Sequence, residues 1–337
     1  MQISVSPLHL RLQAPFRIAH GVTVERTNVL VEVNGGRGEA GLPPYLPTDY
    51  ATAHAWLSSI TLPEWSSDEP PPIVSWLGRL PAGPLPARCA LDMALHDSWA
   101  KRIGQPLHVL MGVDPARSPV SFMTVSIPER LEDLTLDSLP DHPRLKLKLG
   151  SGDAQRDIAI VQRVRSLTDA ELCVDANGAW SIPEAVSIIP RLNELNLLFV
   201  EQPIADTDPE DWHLLRRLLP KSSSPPLIAD ESFSRSDDAI ALAGAADGVN
   251  IKLAKCGGIA ASRALVHLAR TLDFQVVLGC MVESSLAITA AATLAPLADF
   301  ADLDGAQLLA NDPFRGVTFA GGRPVMPMGA GLGVEQA

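Results

Sequence analysis

The sequence predicts an α/β chain, a (β/α)7β TIM-like barrel with an N-terminal α+β capping domain completed by the C-terminal tail. Three observations carry that expectation. The chain has 337 residues, long for one ordinary domain and suited to a barrel with an attachment. Its first 42 residues alternate apolar and polar positions, as antiparallel strands do. From about residue 118, a short apolar run and then an amphipathic helical pattern repeat along the chain.

The elements come in order. Ile3 and Val5, then Val29, Val31 and Val33, form apolar alternations broken by Asn34-Gly35-Gly36, the pattern of a β-meander. Residues 43–86 hold ten prolines, Pro70-Pro71-Pro72 among them, so any helix there is short. Residues 88–104 read as an amphipathic helix: Leu91, Ala94, Leu95, Ser98 and Trp99 recur at three- and four-residue steps, and Gly104 ends it. Eight apolar runs come next, at 120–125, 145–149, 172–174, 197–200, 227–229, 248–251, 275–278 and 300–303. Seven helical patterns between them make a barrel that lacks its last helix. No G-x-G-x-x-G comes after the first run, which argues against an open doubly wound sheet. The expected division is a capping domain at 1–115, with 312–337 packing back on it, and a barrel at 116–311.

Composition narrows the partners. With 27 Lys and Arg against 39 Asp and Glu, the net charge is −12, a field that repels nucleic acid and anionic membranes. Cys89, Cys173, Cys256 and Cys280 form no C-x-x-C pair, so neither a disulfide framework nor a zinc ribbon is expected. The start has no basic and apolar signal pattern. The longest uncharged helical stretch, 284–298, is too short to span a bilayer. The expectation is a soluble cytoplasmic homo-oligomer acting on a small molecule.

The residues that end the apolar runs are more informative. Lys146 and Lys148 share one side-chain parity in the second run. Asp175, Glu201, Asp230 and Lys252 end the third to sixth, at intervals of 27, 26, 29 and 22 residues from Lys148 onward. Strand C-termini converge at one mouth of a barrel, so these six groups should face one another. A lone acid after a strand is usually a helix cap, but that explanation would have to hold independently in five consecutive units. Three carboxylates make a hard oxygen site suited to Mg²⁺. A lysine beside a divalent cation and other lysines should have its pKa lowered toward general-base range. Two lysines on opposite sides of one carbon can remove a proton from one face and return it on the other. The chemistry implied is proton abstraction α to a carboxylate.

These residues sit in Lys146-Leu-Lys148, Val174-Asp175-Ala-Asn-Gly-Ala-Trp180, Phe199-Val-Glu201-Gln-Pro203, Ala229-Asp230-Glu-Ser232 and Asn250-Ile-Lys252-Leu-Ala-Lys-Cys-Gly-Gly258. Together with Ala90-Leu-Asp-Met-Ala-Leu-His-Asp97 and Gly331-Leu-Gly-Val334, they resemble the muconate-lactonising branch of the enolase superfamily over nearly the whole chain. The resemblance implies that Asp175, Glu201 and Asp230 bind Mg²⁺, that Lys148 and Lys252 are the two-face acid/base pair, and that Lys146 supports the enolate carboxylate. Asp302-Leu303-Asp304-Gly305 and Gly279-Cys-Met-Val-Glu-Ser284 resemble the dipeptide epimerases of that branch, where the acidic pair is associated with the substrate α-ammonium. The implied activity is a Mg²⁺-dependent dipeptide epimerase that inverts the C-terminal residue through a metal-stabilised enolate. N-acylamino-acid racemisation, o-succinylbenzoate synthesis and cycloisomerisation are the alternatives within the branch. A Schiff-base lyase using Lys252 and a non-catalytic barrel lie outside it. The loop after Phe16-Arg17-Ile18 helps to select substrate in the superfamily, and some Ala-Glu epimerases carry an arginine there. Here the nearest position is His20, which argues against an Ala-Glu substrate. Thr124, at the first strand end, is a further candidate for hydrogen bonding substrate.

Overall fold

The computed structural model describes residues 1–65, 72–206, 208–219 and 221–337, so Pro70 and Pro71 lie outside the described residues. The chain opens with three antiparallel strands, β1 (Ile3–Ile18), β2 (Gly21–Val33) and β3 (Gly36–Ala40). Asn34 and Gly35 both take positive φ, 47° and 79°, which tightens the β2–β3 hairpin as the Asn-Gly signal requires. Two short helices, α1 (Tyr50–Ser59) and α2 (Ile73–Arg79), come next in the proline-rich segment. The third helix, α3 (Leu85–Ile103), starts three residues earlier than its apolar spacing indicated and ends at Gly104 in the left-handed conformation. It is buried along most of its length, between the sheet and the barrel. Gly36 and Gly38 let β3 lie directly on it, since a Cβ there would meet the carbonyls of Ala94 and Ala90. A short helix, α4 (Leu107–Leu110), leads into the barrel.

Eight parallel strands then run in sequence order: β4 (Met123–Val125), β5 (Arg144–Lys148), β6 (Glu171–Asp175), β7 (Leu197–Glu201), β8 (Leu227–Ala229), β9 (Gly248–Lys252), β10 (Gln275–Gly279) and β11 (Phe300–Asp302). The ring closes through a parallel bridge between Ser121 and Ala301, where the Phe122 amide donates to the Ala301 carbonyl at 2.8 Å. The crossovers after β5 carry α5 (Ala154–Arg165), α6 (Ile182–Asn193), α7 (Pro209–Leu218), α8 (Ser236–Leu242), α9 (Leu253–Cys256) with α10 (Ile259–Thr271), and α11 (Ser285–Ala292). The first crossover differs from the expected helix. It holds two 3₁₀ turns, Leu131–Asp133 and Leu136–Ser138, in a stretch bounded by Pro128, Pro140 and Pro143.

Inward-facing residues alternate along each strand, so the barrel fills in layers. Phe122, Cys173, Phe199, Ile228 and Val277 form one buried cluster, with Phe300 packed against it. The Phe122 and Phe199 rings meet edge-to-face with centroids 5.6 Å apart. Two residues further along the same strands come Asp175, Glu201, Asp230, Gly279 and Asp302. The aromatic layer is thus the dry floor beneath the charged one.

The tail ties the parts together. Short strands β12 (Phe314–Arg315) and β15 (Glu335–Gln336) pair, as do β13 (Thr318–Ala320) and β14 (Arg323–Val325). The Leu332 amide donates to Asp97 of α3 at 2.7 Å, while the Ser121 amide donates to the Gly322 carbonyl at 2.8 Å. It therefore touches both α3 and the start of the barrel. Among the described residues, no helix is long and apolar enough to cross a membrane.

Candidate active site

Strand register brings the charged residues together. Lys148, Asp175 and Glu201 are Cα partners across β5, β6 and β7, and Lys252, Gly279 and Asp302 are partners across β9, β10 and β11. Asp175, Glu201 and Asp230 are all buried, with one carboxylate oxygen of each within 4.8 Å of the others. Lys148 reaches Asp175 at 2.6 Å and Lys252 reaches Asp230 at 2.7 Å. Their strands, β5 and β9, are four places apart in a ring of eight, so the two ammonium groups approach the trio from opposite sides.

Lys146 takes a different place from the other two lysines. It is 1% exposed and pairs with Glu201 and Asp302, both at 2.8 Å, and with Asp175 at 3.3 Å. It lies behind the trio and lines neither of the two cavities at the mouth. Burial opposes its charge, but Asp302, Glu201 and Asp175 outweigh that and hold its pKa well above the ordinary lysine value. Lys252 is raised too, since Asp230 overcomes the cost of burial. The physical reason is the short ion pair each makes with a carboxylate, a contact that strand spacing does not reveal.

The carboxyl groups record the opposite imbalance. Burial works against the Asp175 and Asp230 carboxylates, yet the adjoining lysines hold both below the usual carboxylate range. Glu201 is pushed up to about 8, first by burial and then by the two aspartates against the pull of Lys146. Burial and Asp230 raise Glu231 to about 7, and burial and Asp302 raise Asp304 to about 6. Six carboxyl groups, those of Asp175, Glu201, Asp230, Glu231, Asp302 and Asp304, thus meet the four ammonium groups of Lys146, Lys148, Lys252 and Lys255. Glu201 Oε2 is buried with no hydrogen-bond partner, and the trio offers only oxygen ligands. These residues fit a hard divalent ion.

Asp302 and Asp304 meet at the same mouth with different partners. Asp302 is committed to Lys146 through Oδ2, while its Oδ1 is buried and unpartnered. Asp304 accepts the Thr124 amide at 2.7 Å. Thr124 therefore already serves a protein carboxylate. Asp302, Asp304 and Thr124 line a small inner cavity of about 60 Å³ with Lys148 and Lys252. His20 instead lines an outer cavity of about 620 Å³, its ring centroid 5.5 Å from that of Tyr45.

Several site residues escaped the sequence reading. Asn250 donates to Glu201 at 2.9 Å, and Lys255 pairs with Asp230 at 2.6 Å. Asn250 lies two places before Lys252, so strand parity alone would have pointed it inward. Tyr45 and Met281 line both cavities, and the Tyr45 hydroxyl donates to Met281 Sδ at 3.2 Å. Tyr45 comes from the proline-rich segment, which has no period to read.

The barrel's strand ends gather a carboxylate trio that could hold a metal ion, between two opposed lysines. The chain belongs to the enolase C-terminal domain-like family, which matches residues 131–337. It is 34% identical to an L-Ala-D/L-Glu epimerase of Bacteroides thetaiotaomicron, over 99% of this chain and 88% of that protein. Among solved structures, the L-Ala-D/L-Glu epimerase of Bacillus subtilis in a substrate-liganded complex superposes with a TM-score of 0.86 at 28% identity, over 99% of this chain and 98% of that one. The dipeptide epimerase of Methylococcus capsulatus, complexed with Mg and L-Arg-D-Lys, gives 0.84 at 30% identity, over the same shares of the two chains. With such relatives, the chain is an isomerase of the racemase and epimerase kind.

Proposed function

We propose that the protein is a Mg²⁺-dependent dipeptide epimerase that inverts the α-carbon of the C-terminal residue. The observation that carries this reading is the placement of Lys148 and Lys252 on opposite strands, either side of one carboxylate trio. Asp175, Glu201 and Asp230 would hold the metal, which supplies positive charge beside the substrate carboxylate as negative charge develops there. One lysine takes the α-proton from one face and the other returns a proton to the opposite face. Lys146 holds Glu201 and Asp302 in place by ion pairs and keeps positive charge beneath the trio. The aromatic floor of Phe122, Phe199 and Phe300 excludes water from below.

Asp302 and Asp304 are the residues we assign to the substrate ammonium, since they add negative charge to the inner cavity on the side of β11. This favours a free dipeptide over an N-acylamino acid, whose neutral nitrogen brings no ammonium charge for the pair to meet. Within this reading, residues 1–115 cap a barrel formed by 116–311, and the mouth between them is where substrate enters. The test is α-proton exchange in D₂O with Mg²⁺, comparing free dipeptides with their N-acyl forms by mass spectrometry. Free dipeptides are expected to take up deuterium and the acylated ones to stay unlabelled. The reverse pattern would move the assignment to racemisation of N-acylamino acids.

A further inference from the structure

We propose that Glu39 and Glu283 form a reciprocal clasp between the β1–β3 sheet and the barrel, and that the clasp positions the Tyr45–Met281 partition between the two cavities. Glu39 lies on β3 and is fully buried. Its Oε1 accepts the Asn28 side-chain amide at 2.8 Å and the Ser284 backbone amide at 3.1 Å, and its Oε2 accepts the Ser284 hydroxyl. Glu283, in the loop after β10, is 4% exposed. Its Oε1 accepts the Gly41 amide at 2.8 Å and its Oε2 the Met281 amide at 3.1 Å. A sheet carboxylate thus grips the loop while a loop carboxylate grips the end of the sheet. Asn28 adds a third link, donating to the Val282 carbonyl at 3.0 Å.

Neither glutamate has a Lys or Arg within ion-pair distance among the described residues. The titratable groups that face them are few: each other, the Cys89 thiol from α3 for both, and the Cys280 thiol and Lys252 of β9 for Glu283. Two buried carboxyls without a cation are costly, and packing alone would be served by apolar side chains. What a carboxyl group adds is two polar oxygens, and here all four make hydrogen bonds with backbone or side-chain groups from both sides of the junction.

Both ends of the clasp lead into the site. Gly41 precedes Tyr45 by four residues, and a Cβ on Gly41 would stand 2.7 Å from the Met281 Cβ. The sheet end and the loop are therefore in direct contact beside the partition. The inner cavity, about 60 Å³, is small for a dipeptide, and Tyr45 and Met281 line it together with Lys148, so in this scheme the pair gives way as substrate reaches that lysine. The clasp fixes the backbone on each side of that pair while the side chains move. Glu39 and Glu283 are positioning residues in this scheme, which rests on the proposed reaction only for its kinetic consequence.

The test uses the full chain with Glu283→Gln and Glu39→Gln, each of which sets an NH₂ against a backbone or side-chain donor. Hydrogen–deuterium exchange should quicken about tenfold in peptides covering 41–46 and 280–285, the size expected from losing one buried hydrogen bond, with α10 unchanged. With a dipeptide that the wild type epimerises, KM should rise about tenfold and kcat should change by less than about threefold, as expected when binding geometry is loosened and chemistry is left intact. Ser284→Ala removes the hydroxyl contact to Glu39 together with the cap that this oxygen gives the Leu286 amide of α11; it carries the same prediction for 41–46 at smaller size, which keeps the test open if a glutamate variant does not fold. Unchanged exchange at both segments, or a fall in kcat at constant KM, overturns the clasp. A wild type without epimerase activity overturns the proposed function but leaves the exchange result to decide the clasp.

Discussion

At the residue scale, Lys148, Asp175, Glu201, Asp230 and Lys252 were legible because they end strands at near-regular intervals, and the structure brings all five to one mouth. Lys146 was legible by parity, but its depth behind the trio was not, because parity gives a side and not a distance from the mouth. Glu39, Glu283 and Tyr45 were hidden for another reason. Their partners are 245, 242 and 236 residues away in sequence, and no local pattern encodes such contacts. Glu39 also makes a pH prediction. Burial and then Glu283 raise its pKa from 4.5 to about 7, so the unfolded chain gives up this proton first. Its contribution to stability is complete below pH 4.5 and is lost as pH rises through 7. The loss is on the order of 3 kcal/mol. Wild type should therefore lose ground relative to Glu39→Gln in thermal melts over that range, and parallel melting curves would refute it.

At the element scale, seven of the eight runs matched strands to within a residue or two, because buried parallel strands are short apolar runs bounded by loops. The first fits less closely: the apolar run 120–125 contains the bridge at Ser121 before β4 begins at Met123. The first crossover failed the helical expectation where prolines interrupt it, which shows composition overriding the repeat. The floor layer yields a direct prediction. Phe199 is fully buried, with the Phe122 and Phe300 rings 5.6 and 5.1 Å away. Phe199→Ala should cost about 3–5 kcal/mol, read as a lower urea midpoint. It should also reduce activity more than its stability loss explains, since the carboxylate of Glu201 lies two residues along the same strand. A loss under about 1 kcal/mol would mean that the layer collapses to fill the gap.

At the scale of the whole molecule, the net charge of −12 gives no sign of a mouth in which six carboxyls meet four lysines. A divalent ion held by the trio binds the folded chain alone, so Mg²⁺ at a hundred times its Kd should add about 2.7 kcal/mol of stability. Melting with Mg²⁺ and with EDTA measures that, and Glu201→Gln should abolish the difference. An equal Mg²⁺ effect in the variant would place the ion elsewhere.

In the proposed reaction, two lysines on opposite faces exchange one α-proton. The most direct measurement is deuterium wash-in from D₂O, with Mg²⁺ and each stereoisomer of a dipeptide, for wild type, Lys148→Ala and Lys252→Ala. Wild type should label the C-terminal α-carbon from both stereoisomers while interconverting them. Each single variant should exchange the proton of one stereoisomer only, a different one for each lysine, and epimerise neither. Labelling of both stereoisomers by either variant, or labelling that survives removal of both lysines, would contradict the two-lysine mechanism.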